Sequence, residues 1–322
     1  MRKFLSYLLI LLVSACSRPA QTDNFKPGEM KGNLIIFHAG SLSMPFKQVA
    51  EDFEKANPNV KIMLEAAGSV DCARKIIDLN RPCDIMASSD YKVIQDLLIP
   101  GYTDWLIPFA SNEIVVAFTE KSRQANIINT SNWADILIGN DVAFARPDPN
   151  SDPCGYRTVL MLQLAEKYYN KPGLAENFLK KDLKYIRPKE VDLIALLEVH
   201  EADYIFNYRS VAIQHQLKFI ELPDEINLGN PAFADYYAQA SVEITGKKPG
   251  EKIKVAGEPI IYGITRLKNA PNPEIAEAFL EFLLDNQKGM KVMAESGQTT
   301  LIPGKNPYWD RLPERLKQFS LK

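Results

Sequence analysis

The sequence predicts an α/β fold of two lobes, and three observations predict it. From residue 33 onward, runs rich in branched apolar side chains alternate with amphipathic runs, the habit of βαβ units and a parallel sheet. Three short Gly-bearing turns, Ala39-Gly40-Ser41, Ala67-Gly68-Ser69 and Asp152-Pro153-Cys154-Gly155, each separate a strand-like run from a helix-like one. The length of 322 residues suits two domains of about 150 residues each.

The first element is not part of either lobe. Arg2 and Lys3 precede an apolar run at 4–13 and the small-residue stretch Val13-Ser14-Ala15-Cys16. Ten apolar residues are too few to span a bilayer, which takes about 20. The pattern resembles the lipobox of exported lipoproteins, which implies cleavage after residue 15, an acylated Cys16 and a lipid-anchored protein outside the cytoplasm. Residues 16–32 are polar with Pro19, Pro27, Gly28 and Gly32, and read as a flexible tether.

Strand-like runs follow at 34–37 and 60–64. Between them Phe46, Val49, Ala50 and Phe53 mark a helix that stops before Pro58. A helix at 70–78 and a strand at 84–87 repeat the beat. The strongest strand is 113–118, followed by a strand at 142–145, helices at 157–169 and 191–199, and a strand at 203–208. Another strand at 259–264 and a helix carrying Ile275, Phe279, Phe282 and Leu283 complete the pattern, with no internal repeat. Strands 113–118 and 259–264 are the candidate crossings between lobes, which divides the chain into lobe I (33–112 and 266–322) and lobe II (113–265). Two such crossings permit hinge closure over a ligand.

Composition narrows the function. The formal net charge is −2, and about −4 once Arg2 and Lys3 leave with the signal, so nothing electrostatic favours nucleic acid or anionic lipid. Cys72, Cys83 and Cys154 remain after Cys16. In an oxidising compartment Cys72 and Cys83 could pair, or all three could be small buried residues. No Cys/His spacing suits zinc, and no cofactor is expected. The turns instead aim helix N-termini, with their unpaired N–H groups and partial positive charge, at one cleft with Ser hydroxyls beside them. That combination suits a small anion.

His38-Ala39-Gly40-Ser41-Leu42, Glu65-Ala66-Ala67-Gly68-Ser69-Val70, Tyr102-Thr103-Asp104-Trp105, Asn112-Glu113-Ile114-Val115, Ser131-Asn132-Trp133, Asp152-Pro153-Cys154-Gly155-Tyr156-Arg157 and Glu221-Leu222-Pro223-Asp224-Glu225-Ile226 together resemble the tungstate/molybdate-binding proteins of ABC importers, the ModA/WtpA type. The resemblance runs from about residue 33 to 303. It implies a type II periplasmic binding fold whose two α/β lobes close on an oxyanion, in a monomer that delivers the anion to a membrane permease. It further implies that Gly40, Ser41 and Ser69 bind oxo atoms from one lobe. Backbone N–H groups of Cys154 and Val191 and the Tyr208 hydroxyl would do so from the other. In the tungstate-type branch two carboxylates also reach the metal centre and raise its coordination from four to six; the matching positions are Asp152 and Glu190, with Asp192 a rival to Glu190.

Carboxylates beside a dianion need a compensating attraction, since unit charges 4 Å apart repel by about 4 kcal/mol at an effective dielectric near 20. An oxygen bond to a centre that can expand its coordination supplies it; sulfate and phosphate offer no such centre, so selectivity would follow. Plainer roles stand beside these. Asp152 can cap a helix with Pro153 at its first position, and Glu190 can stabilise its own helix start. His38 reads as a packed, hydrogen-bonded strand-end residue. A receptor for another small oxyanion is the alternative within the class. An enzyme using Cys154 as an activated thiolate lacks a His placed to serve it and has Asp152 next door to raise the thiol pKa.

Overall fold

The computed structural model describes residues 30–246 and 250–322; the signal segment, Cys16 and the tether as far as residue 29 lie outside the described residues. Met30 is buried and strand β1 begins at Gly32, so the last residues assigned to the tether belong to lobe I. The Gly32 N–H is spent on the Asn59 carbonyl.

Lobe I is built on β1 (Gly32–Ala39), β2 (Val60–Ala67), β3 (Ile85–Ser88), β4 (Ile107–Ser111) and, from the far end of the chain, β12 (Ile261–Arg266) and β13 (Thr299–Thr300), in the order β13-β4-β12-β3-β1-β2. Lobe II holds β5 (Ile114–Phe118), β6 (Phe144–Pro147), β7 (Ile186–Arg187), β8 (Tyr204–Tyr208) and β9 (Lys218–Glu221), in the order β7-β6-β8-β5-β9. A hairpin of β10 (Ser241–Thr245) and β11 (Lys252–Ala256) extends from it.

The sheets are mixed rather than parallel throughout. Pairs β1–β2, β1–β3, β6–β7 and β6–β8 are parallel, as βαβ units require. Strands flanking the passages between lobes run antiparallel to their neighbours, β12 against β3 and β4, and β5 against β8 and β9.

The strands read as crossings each lie within one sheet, and the passages are the short links 112–113 and 257–260 beside them. Lobe II therefore ends near residue 260 rather than 265, because Gly263–Arg266 pair with Ser88–Ile85 of lobe I. The ladder breaks at Asn112 because its Oδ1 accepts from the Glu113 and Ser210 N–H groups, a local bond that competes with strand pairing.

Helix Ser43–Ala56 buries Phe46, Val49, Ala50 and Phe53, the stripe its periodicity predicts. Phe53 meets Phe279 and Phe282 of helix Pro273–Leu284 edge to face at 5.4 and 5.5 Å. In lobe II, Trp133, Phe144, Phe178 and Phe206 form the matching aromatic core. Cys72 and Cys83 are free and buried. Their thiols point to separate carbonyls, Cys72 to His38 at 3.6 Å and Cys83 to Ile85 at 3.1 Å, so the disulfide alternative is not realised.

Candidate functional site

Each predicted turn sits at the carboxyl end of a strand, where open α/β sheets bind ligands. In lobe I, β1 runs into Gly40 and Ser41, and β2 into Gly68 and the helix Ser69–Ile77. In lobe II, β6 leads to Asp152 and the helix Pro153–Tyr168, β7 to the single turn Glu190–Asp192, and β8 ends at Tyr208. The helix predicted from Arg157 starts four residues earlier. Asp152 is its N-cap, Pro153 takes the first position, and Asp152 Oδ1 accepts from the Cys154 N–H at 2.7 Å.

The lobes stand closed on one another. A Cβ on Gly68 would overlap the Ser151 carbonyl oxygen, and one on Gly40 would lie 2.7 Å from Glu190 Oε2 and 3.0 Å from Val191 Cγ2. Glycine lets backbone meet backbone across the cleft at position 68 and admits the Glu190 and Val191 side chains at position 40. Ser41, Ser69, Asp152, Cys154, Glu190 and Tyr208 are all at most 1% exposed. Val191 is half-buried at the rim.

The two carboxylates organise the centre. Asp152 Oδ2 accepts from the Glu190 N–H at 2.9 Å, and Glu190 Oε1 accepts from the Ser41 N–H of the opposite lobe at 2.5 Å. Asn207 holds the Glu190 carbonyl at 2.9 Å. Glu190 Oε2 is buried with no hydrogen-bond partner among the described residues. Burial and then the neighbouring Glu190 carboxyl push Asp152 well above the usual carboxylate range. Two N–H groups expected to face an oxyanion, those of Ser41 and Cys154, are thus each engaged by one of the carboxylates. Asp192 lies half-exposed and pairs with Lys189 at 3.4 Å, so Glu190 is the carboxylate that faces the cleft.

Three hydroxyls share one arrangement. Tyr262 accepts from Asn112 Nδ2 at 3.0 Å, so its proton is free to go to Ser41 Oγ at 2.9 Å. Ser69 Oγ accepts from the Ser89 N–H at 3.1 Å, and the Tyr208 oxygen accepts from Arg157 Nη1 at 3.0 Å. Each hydroxyl oxygen therefore accepts from a protein donor, while the Tyr208 hydroxyl donates to Ser89 Oγ at 3.4 Å and Ser69 Oγ lies 3.3 Å from that same oxygen. Sequence reasoning missed Tyr262, Asn112, Asn207 and Ser89; only Asn112 lay inside a motif that the resemblance singled out.

The remaining candidates fall outside the centre. His38 donates from Nδ1 to the Ala39 carbonyl at 2.8 Å, and burial lowers its pKa to about 4, so it is a neutral packed residue at pH 7. Burial, then Asp152 and Glu190, raise the Cys154 thiol well above its ordinary value, the opposite of an activated nucleophile. Trp133 and Tyr169 are packing residues.

Residues 34–297 match the family described as bacterial extracellular solute-binding protein. The chain is 43% identical to the molybdate/tungstate-binding protein WtpA of Thermococcus kodakarensis over 338 residues, covering 96% of this chain and 93% of the relative. It is 41% identical to WtpA of Pyrococcus abyssi over 344 residues, covering 98% and 96%. Among solved structures, the periplasmic molybdate-binding protein of Azotobacter vinelandii superposes with a TM-score of 0.61 at 16% identity, covering 83% of this chain and 98% of that one. The latter likeness shows the fold, two α/β lobes of the type II periplasmic binding kind.

Proposed function

Because the chain belongs to the bacterial extracellular solute-binding proteins, a family of binding proteins and not enzymes, we propose that it captures molybdate or tungstate between its lobes and hands the anion to the permease of an ABC importer. Asp152 and Glu190 each give a carboxylate oxygen to the metal centre. Gly40, Ser69, Val191, Tyr208 and the Ser41 hydroxyl hold the oxo atoms, while the Cys154 N–H serves the site by orienting Asp152. A lipid on Cys16 keeps the protein, a monomer, on the extracytoplasmic face of the envelope.

The observation that carries this reading is Glu190 Oε2, a buried carboxylate oxygen that meets no donor among the described residues, next to a second buried carboxyl. An oxygen left so is costly unless something electropositive reaches it. A hexavalent molybdenum or tungsten centre able to add oxygen ligands answers that need, and the sulfur of sulfate does not. The hydroxyls of Ser41, Ser69 and Tyr208 complete the fit to a fully deprotonated oxyanion, the last two by turning to it from Ser89 Oγ, which lies 3.3 Å from Ser69 Oγ and accepts from Tyr208 at 3.4 Å.

Calorimetric titration of the protein with molybdate, tungstate, sulfate and phosphate tests the proposal. Tight binding of the first two, with no heat from the others, is expected. Sulfate binding as tight as molybdate would instead favour a general oxyanion receptor and remove the carboxylates from a role in ligation.

A further inference from the structure

The ion pair between Arg157 and Asp90 belongs to neither carboxylate nor hydroxyl set, yet it touches two members of the site. Arg157 lies on the helix Pro153–Tyr168 of lobe II, and Asp90 follows β3 of lobe I. Their side chains are 2% and 3% exposed and Arg157 Nη2 stands 3.2 Å from Asp90 Oδ2. The same guanidinium places Nη1 on two acceptors, the Ser89 carbonyl at 2.6 Å and the Tyr208 oxygen at 3.0 Å. Ser89 in turn donates its N–H to Ser69 Oγ. Tyr156, beside Arg157 on the same helix, adds a second bond across the cleft by donating to Asp90 Oδ2 at 2.5 Å.

We propose that Arg157 and Asp90 form a closure-dependent clamp that positions Tyr208 and Ser69 for the bound anion and sets how slowly the cleft releases it. This rests on the reading of the cleft as the oxyanion site. The partners lie in different lobes, so the clamp is made only when the lobes meet. Two charges leave water to form it, and that loss roughly offsets their attraction. The pair therefore holds only part of the anion-free population closed, and the anion supplies the rest of the shift to the closed state. Once formed, the planar fork fixes directions that a lysine ammonium cannot. By donating to the Tyr208 oxygen, Arg157 leaves the phenolic hydrogen to point away from itself. By holding Ser89 at its carbonyl, it fixes the N–H that occupies Ser69. Arg157 and Asp90 are positioning residues, since neither is placed against the anion.

The test uses the full-length protein with Asp90→Asn and Arg157→Lys. Asn at position 90 keeps the size of Asp and its bond to the Lys92 N–H, so the lobes should stay folded, checked by thermal unfolding. Small-angle scattering without anion should show both variants more open than wild type. Stopped-flow release of molybdate should be about 10- to 100-fold faster with little change in association, the pattern for loss of one partner of a buried charged pair. Lysine at 157 should not rescue. An Asp90→Asn release rate equal to wild type, or the same anion-free scattering curve, would overturn the clamp. Should Asp90→Asn fail to fold, Tyr156→Phe removes one cross-lobe bond and must move both readouts in the same direction. A wild-type protein that binds no molybdate would sink the cargo reading alone; the anion-free scattering comparison still decides the clamp.

Discussion

Glu190→Gln is expected to weaken molybdate and tungstate binding by about 100-fold, roughly 2.7 kcal/mol, while improving the binding of sulfate. The amide keeps the shape and can still accept from the Ser41 N–H, and the backbone bonds of residue 190 to Asp152 and Asn207 do not involve its side chain. The loop and the closed cleft should therefore survive. What is lost is one anionic oxygen for the metal centre. What is gained, for an anion that cannot use that oxygen, is relief from repulsion worth about 4 kcal/mol per pair of unit charges 4 Å apart at an effective dielectric near 20. The opposite signs for molybdate and sulfate separate this account from general damage, which would weaken both. Calorimetry with the two anions reads it directly; parallel losses would remove Glu190 from the ligand set.

Gly68→Ala should act differently, abolishing tight binding of every oxyanion alike. The backbone at Gly68 has φ −57° and ψ 141°, which alanine adopts freely, so lobe I itself is not strained. The added methyl instead meets the Ser151 carbonyl oxygen and lies 3.1 Å from that of Pro188, both in lobe II. Backbone carbonyls cannot swing aside as a flexible side chain does, so the methyl holds the lobes apart. Ser41 and Glu190 then no longer reach one site. Scattering in saturating molybdate should stay at the open value, with a loss of affinity of at least about 100-fold, or roughly 2.7 kcal/mol. A variant that closes and binds normally would mean that the cleft does not need this close approach.

Much of the fold was legible in the sequence where the signal is local. Phe46, Val49, Ala50 and Phe53 recur at helical spacing and are all buried. Asp152 before Pro153 carries its cap in the sequence itself. The strands around the links misled for a physical reason: 113–118 and 259–264 look like strands because they are, but nothing local tells which sheet will take them.

The site was legible as a set of turns and not as a network. Ser41 meets Glu190 across 149 residues and Asp90 meets Tyr156 across 66. Those pairings exist only where two lobes close, and no periodicity records them. Tyr262 and Asn207 were invisible because their importance comes from partners distant in sequence, Ser41 and Asn112 for Tyr262 and the Glu190 carbonyl for Asn207.

Whether the two carboxylates bind the metal centre itself is read most directly by X-ray absorption at the molybdenum or tungsten edge of the loaded protein. The prediction is a six-coordinate centre, with two oxygens added to the four of the free oxyanion, falling to fewer in Glu190→Gln. A spectrum indistinguishable from four-coordinate tetrahedral molybdate would contradict the account and leave Asp152 and Glu190 as caps alone.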